Sequence, residues 1–180
     1  MDKPAVPHQI RKVFEGRVFS VVVESIMTPK GGRMDVEIVR HPGSVVLIPL
    51  MANGEVILVR QYRHPIGRSA WELPAGTLKP NEEPKKAAAR ECHEEIGLLP
   101  TGLEELGSYF PTPGYCDEEM IFYKATGLRE AGPDDEEAHQ DEDEDIEKQA
   151  FSLEQIRSMI RSGEIVDMKT VAGMTLLGGT

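Results

Sequence analysis

Cysteine is nearly absent from this 180-residue chain, Cys92 and Cys116 being the whole supply. Two thiols that form neither a CxxC pair nor a framework exclude a disulfide-stapled scaffold and a zinc finger, and they fit a reducing cytosol. Long apolar runs are missing too. None approaches the roughly 18–20 residues that a bilayer-spanning helix needs, and the start, MDKPAVPHQI, has no apolar stretch of the kind a secretory leader carries. The expectation is a cytoplasmic protein with no membrane partner. Positive charge is in deficit, with 20 Lys and Arg against 31 Asp and Glu and a net charge of -11. That balance disfavours a nucleic-acid backbone as partner, and a small anionic substrate would have to be met through recruited cations.

What is present is ordinary globular material. A hydrophobic content of 39% and a charged content of 28% belong to a soluble domain, and the length suffices for a sizeable core. The excess acid is concentrated. Residues 130–147, EAGPDDEEAHQDEDEDIE, hold eleven acids and no Lys or Arg. By composition such a run reads as a solvated loop.

RVFSVVVESI and RMDVEIVRH alternate around a Pro-Lys-Gly-Gly turn and predict a hairpin over 17–40. SVVLIPLMA and EVILVRQYR flank Asn53-Gly54 and predict a second hairpin over 44–63. A helix opens between Asn81 and Pro84 and stops at Gly97. LEELGSYF, EEMIFYKATGL and DIEKQAFSL read as further strands. Ser152 to Gln155 is a capping box opening a helix that ends at Gly163, and Asp167 caps a last helix through Leu177. Strands, helix, strands, helix argue an α/β (α+β) sandwich, a mixed sheet between helices preceded by an N-terminal β-hairpin region. The expected division is 1–43 for that strand region and 44–180 for the main domain.

The central helix poses a chemical problem. At 3.6 residues per turn Glu91, Glu94 and Glu95 share one face, while Cys92 and Ile96 turn to another with Ala88 and Ala89. Like charges three or four apart repel, and a helix C-terminus prefers cations. Acidic helix faces are often merely solvated, but the surrounding residues do more. Gly76, then Glu82, Arg90-Glu91, Glu94-Glu95, Gly97 and Leu98 fall at spacings that resemble the Nudix hydrolase box, here 76–98. Cys92 fills an apolar slot where the family more often has a bulkier aliphatic.

That resemblance implies a Nudix-like sandwich, a loop-helix-loop site and Mg²⁺ or Mn²⁺ held by carboxylates, hard cations that repay the crowding of like charges. Carried over by position, Glu91 and Glu95 look like principal metal ligands, Glu94 a further ligand or base, and the carbonyl of Ala75 a backbone ligand. Arg90 looks like an orienting partner for these carboxylates and Glu82 like a support. The implied chemistry is cleavage of a nucleoside diphosphate linked to another moiety, by water attacking phosphorus.

Three further segments resemble the ADP-ribose pyrophosphatase and nucleotide-sugar hydrolase subgroup. These are LVRQYRHPIGRSAWELPAG before the box, Thr112-Pro113-Gly114 with Glu118 beyond it, and DEDEDIE at 141–147. By that resemblance Glu142 is the general base and Glu144 a further metal ligand, with neighbouring acids as alternative registers. The subgroup exchanges its N-terminal hairpins across a homodimer. This would bring Phe19, Arg40 and Arg63 to the substrate, with Thr112 and Glu118 also facing it. Arg63 suits phosphate bidentately. Phe19 stacks on a base or packs in a core or interface, and Trp71 is either a stacking platform or a packing anchor. The implied activity is hydrolysis of ADP-ribose or a related nucleoside diphosphate sugar. GDP-mannose, ADP-glucose or a dinucleotide are rival substrates, and a non-catalytic nucleotide-sugar sensor is the rival function.

Overall fold

The computed structural model describes residues 7–133, 135 and 146–178. These divide into two compact units, the described residues of 1–43 with 110–119 and those of 44–109 with 120–180. The segment 110–119 therefore belongs with the N-terminal strands, a long-range partnership that local pattern does not reveal.

The first unit is a three-stranded antiparallel sheet, β1 (Gln9–Glu15), β2 (Ser20–Met27) and β3 (Arg33–Arg40), in that order. β2 and β3 form the expected hairpin, with Val22 opposite Ile38. β1 was not anticipated. Every one of its residues is exposed, so it lacks the alternation that betrays a strand.

In the second unit, β4 (Ser44–Pro49) and β5 (Val56–Arg63) are separated by the tight turn that Asn53-Gly54 announces, with the Gly54 N–H donating to the Met51 carbonyl at 2.9 Å. The expected hairpin does not form beyond one bridge, Leu50 to Val56. β4 instead sits inside the sheet β7-β4-β9-β8, antiparallel to β7 (Ala75–Thr77) and parallel to β9 (Met120–Thr126), with β8 (Gly102–Tyr109) outermost. β5 lies between β6 (Arg68–Glu72) and β10 (Glu147–Phe151). The reason is burial. All six residues of β4 are buried, and a strand covered on both faces gains more from two flanking strands than from its sequence neighbour.

The two faces feed two cores. Val46, Ile48, Val56 and Leu58 point to one side, with Leu73, Phe122, Ile156 from α2 (Leu153–Ser162) and Met174 from α3 (Met168–Leu177). Val45, Leu47, Ile57 and Val59 point to the other, against Ala87, Ala88, Cys92 and Ile96 of α1 (Pro84–Ile96). The mixed sheet expected between helices is thus the one holding β4, and the antiparallel sheet of β5 shares both cores with it. In α1 the core alanines are Ala87 and Ala88. Ala89 is half-buried, a one-position correction to the expected face. Trp71 is 8% exposed and meets Phe151 edge-on at 5.0 Å, which makes it a packing anchor rather than a stacking platform. The Ser152–Gln155 capping box and the Asp167 cap form as read. Among the described residues no helix is long and apolar enough to cross a membrane.

Candidate active site

The site is built on α1 and the strand that precedes it. Glu91 and Glu95 are buried, at 8% and 5% exposure. Burying two carboxylates one turn apart demands compensation, and Arg90 supplies much of it. Its Nε and Nη2 donate to the two oxygens of Glu82 at 2.8 and 2.9 Å. Its Nη1 donates to Glu91 Oε1 and to Glu94 Oε2, both at 2.6 Å. One guanidinium therefore ties the loop before the helix to two carboxylates on it. The hydrogen bonds to Glu82 are the main reason the Arg90 pKa is raised above its ordinary value. In return Arg90 holds the Glu82 carboxyl below the usual range.

β7 closes the other side. A Cβ at Gly76 would overlap the Glu91 carboxylate, so only glycine lets the strand approach. The Ala75 N–H donates to Glu95 Oε2 at 3.1 Å. The helix stops at Gly97, left-handed at φ 71, and Lys148 Nζ donates to the Ile96 carbonyl at 2.7 Å. That cation sits where the helix dipole wants one, and it offsets acids placed at the unfavourable end. Burial pushes the Cys92 thiol up to about 12, with Glu95 adding to the effect, so Cys92 is an inert core residue.

Among the described residues no three His, Cys, Asp or Glu side chains form a ready-made metal cage. The donor set nevertheless fits a hard divalent ion. The side chains expected to hold one, Glu91, Glu94 and Glu95, offer only oxygen, on a helix face with a glycine cut away opposite. Arg90 is the counter-charge that Glu82, Glu91 and Glu94 share.

A second charged group lies at the ends of β5 and β6, and sequence reasoning missed most of it. Arg63 donates through Nε and Nη2 to Glu72, both at 2.8 Å. Glu72 is 2% exposed and also binds Lys169 of α3. Burial alone would raise the Glu72 carboxyl. Arg63 and Lys169 together outweigh that effect and hold it below its usual range. Thr170 joins the same corner, accepting from the Leu73 N–H at 2.8 Å and donating to Asp167 at 2.6 Å. An acid inside the apolar stretch Ala70-Trp71-Glu72-Leu73 was the available clue. Nothing in spacing links it to Lys169.

The remaining expected residues belong to the first unit. Arg40 donates to Asp117 at 2.7 Å and to Glu24 at 2.5 Å, and the His41 N–H donates to Asp117 at 2.8 Å. Asp117 was not anticipated. Glu118 lies 3.8 Å from His41 Nδ1, and the Thr112 carbonyl accepts from the Tyr115 and Cys116 N–H groups in a tight turn. Phe19 is 43% exposed and, with Arg40, His41 and Pro42, lines a groove of about 310 Å³. Its ring meets Phe14 at 5.8 Å. Glu142 and Glu144 lie outside the described residues.

Comparison with known proteins converges on one family. The pattern described as NUDIX domain matches residues 40–170. The chain is 34% identical to an ADP-ribose pyrophosphatase of Bacillus subtilis (strain 168), over 92% of this chain and 88% of that protein. It is 38% identical to an ADP-ribose pyrophosphatase of Mycobacterium tuberculosis, over 88% and 76%, and 36% identical to a methanol dehydrogenase activator of Bacillus methanolicus, over 92% and 88%. A crystal structure of an ADP compounds hydrolase superposes with a TM-score of 0.78 at 19% identity, covering 98% of this chain and 93% of that one, and it shares the fold. A domain match around the arginine-clamped acidic helix, and relatives alike over most of their length, lead to one placement: this chain belongs to the Nudix family.

Proposed function

We propose that the chain hydrolyses the diphosphate linkage of ADP-ribose or a related nucleoside diphosphate sugar, giving a nucleoside monophosphate and a sugar phosphate. The observation that carries this reading is the Arg90 clamp, which holds Glu82, Glu91 and Glu94 in one constellation beside Gly76. The names borne by the Bacillus and Mycobacterium relatives favour ADP-ribose within the class.

A divalent cation, Mg²⁺ or Mn²⁺, would be held by Glu91, Glu95, Glu94 and the Ala75 carbonyl, with Glu144 as a further ligand. When bound it neutralises the diphosphate and polarises its phosphoryl oxygens. The residues themselves do the rest. Arg90 keeps Glu91 and Glu94 aimed. Arg63, fixed by Glu72 and 43% exposed at its side chain, offers the substrate phosphates a directed guanidinium. Glu142 takes the proton from the attacking water, with Glu94 the next candidate. Water forms one P–O bond, the bridging P–O bond breaks, and two phosphomonoesters leave. Phe19, Arg40, Thr112 and Glu118 contact the nucleoside and sugar, and a homodimer with exchanged N-terminal strands completes the site.

The test is a product assay with ADP-ribose, GDP-mannose, ADP-glucose and NADH, in Mg²⁺ and in EDTA. AMP and ribose 5-phosphate from ADP-ribose, abolished by EDTA, are expected. No turnover of any of the four would overturn the reading and favour a sensor.

A further inference from the structure

Lys169 is placed against three local preferences. Its side chain is 8% exposed, although lysine is almost never buried unless paired. It lies in the first turn of α3, where the helix dipole disfavours a cation. It also shares one carboxylate with another cation, since Lys169 Nζ and Arg63 Nη2 both contact Glu72 Oε2. Violations gathered in one place mark a functional site more often than a structural one.

The effect of the lysine is on net charge. Arg63 and Glu72 alone make a bidentate pair that is fixed in direction but neutral, and a neutral pair is a poor receptor for a diphosphate. Lys169 offsets the charge of Glu72, so Arg63 is not the only cation answering that carboxylate. Asp167 lies 3.2 Å from Lys169 Nζ and caps α3 through the Thr170 N–H at 2.9 Å and hydroxyl at 2.6 Å, so its charge is a constant background in every variant compared below. Arg63 holds Glu72 through Nε and Nη2 while its side chain stays 43% exposed. Glu95 on the carboxylate helix is close enough to act on it electrostatically. The exposed edge of the guanidinium thus belongs to the same corner as the helix that would carry the cation.

We propose that Lys169 is a positioning residue: by sharing Glu72 with Arg63 it leaves Arg63 directed yet still cationic toward the substrate diphosphate. This rests on the hydrolase reading above. The test compares wild type, Lys169→Met, Lys169→Arg and the double variant Glu72→Gln/Lys169→Met, in which a neutral amide still accepts from Arg63 but the net charge of the group is restored. Lys169→Met should raise KM for ADP-ribose about tenfold, a size set by one charge at roughly 6 Å across a partly wet protein, with kcat within about twofold. Lys169→Arg and the double variant should return KM to within about threefold of wild type.

Inorganic pyrophosphate, titrated calorimetrically in EDTA, separates this inference from the reading beneath it. If no nucleotide sugar is turned over, the same ranking in pyrophosphate affinity still supports the charge-sharing role. A Lys169→Met protein that loses thermal stability but keeps KM and pyrophosphate affinity would make the lysine purely structural. So would a double variant as impaired as the single one. Should Lys169→Met fail to fold, the double variant against wild type decides alone, and a tenfold rise in its KM overturns the proposal.

Discussion

Replacing Arg90 with methionine probes the centre of the site while leaving every proposed metal ligand in the sequence. The side chain is 21% exposed, and its partners Glu82, Glu91 and Glu94 are 15%, 10% and 22% exposed. Removing one partner from a fully buried pair costs roughly 3–5 kcal/mol, because the charge left behind is unpaired. Partial solvent access lowers that figure, while leaving three acids without their shared cation raises it. The expected loss is about 3 kcal/mol, or a fall in Tm of about 6–12 °C for a chain of this length. Urea unfolding followed by the fluorescence of the only tryptophan, Trp71, reads the loss, since that residue is buried in the same unit. The experiment is run in EDTA and again in Mg²⁺. A cation at 100 times its Kd contributes about 2.7 kcal/mol, and it acts more strongly where Arg90 no longer shares the carboxylates. The deficit of the variant should therefore shrink in Mg²⁺. A loss below about 1 kcal/mol in EDTA would refute the clamp. An equal deficit with and without Mg²⁺ would refute the view that arginine and cation serve the same acids.

Gly76→Ala forces a methyl into the Glu91 carboxylate, and kcat/KM should fall on the order of 100-fold, as for ligands misplaced by about an ångström; wild-type rates would show that β7 yields. Glu95→Gln should keep the far-ultraviolet spectrum and weaken divalent-ion affinity at least about tenfold by calorimetry; unchanged affinity removes Glu95 from the ligand set. The Glu82 and Glu72 carboxyls are held below their ordinary value of 4.5 in the fold, so their stabilisation is complete above that value and is lost as pH falls through the folded pKa. The urea midpoint should hold steady down to about pH 5 and then decline, with a shallower decline in Glu82→Gln; an identical acid limb in that variant would dismiss Glu82 as a contributor. At pH 8 a thiol reagent should modify half-buried Cys116 and spare Cys92, whose thiol lies at about 12; two fast thiols in the folded protein would contradict the burial of Cys92.

Legibility in the sequence followed range. The hairpin over 17–40 and the α2 and α3 caps are signalled within a few residues, and they stand as read. The face of α1 follows from its period, down to a one-residue error over which alanine meets the core. The Asn53-Gly54 turn is real, but the hairpin it suggested is not, because β4 is claimed on both sides by strands far away in sequence. β1 gave no signal since all of its residues are exposed and none needs to be apolar. The Arg63–Glu72–Lys169 group joins residues 97 positions apart, and only folding brings such a lysine to such an acid. Within the box, spacing alone placed the acids together. That Arg90 reaches Glu82, Glu91 and Glu94 at once depends on how the preceding loop turns, which composition does not encode.

The parallel pairing of β4 with β9 bears on how the chain is made. Val45 waits for Ile121 and Leu47 for Tyr123, so the central strand leaves the ribosome long before its neighbour exists. Contacts of such sequence separation slow folding, and a strand apolar on both faces is a template for wrong pairing until it is covered. Until then β4 has β7, α1 and the core residues of β5 around it, but no strand on the edge that β9 will fill. Expression yield should therefore be most sensitive to changes that slow arrival at residue 126 or loosen α1 against β4. Completion of the fold, and not of any single element, is the event that makes this protein safe in a crowded cell.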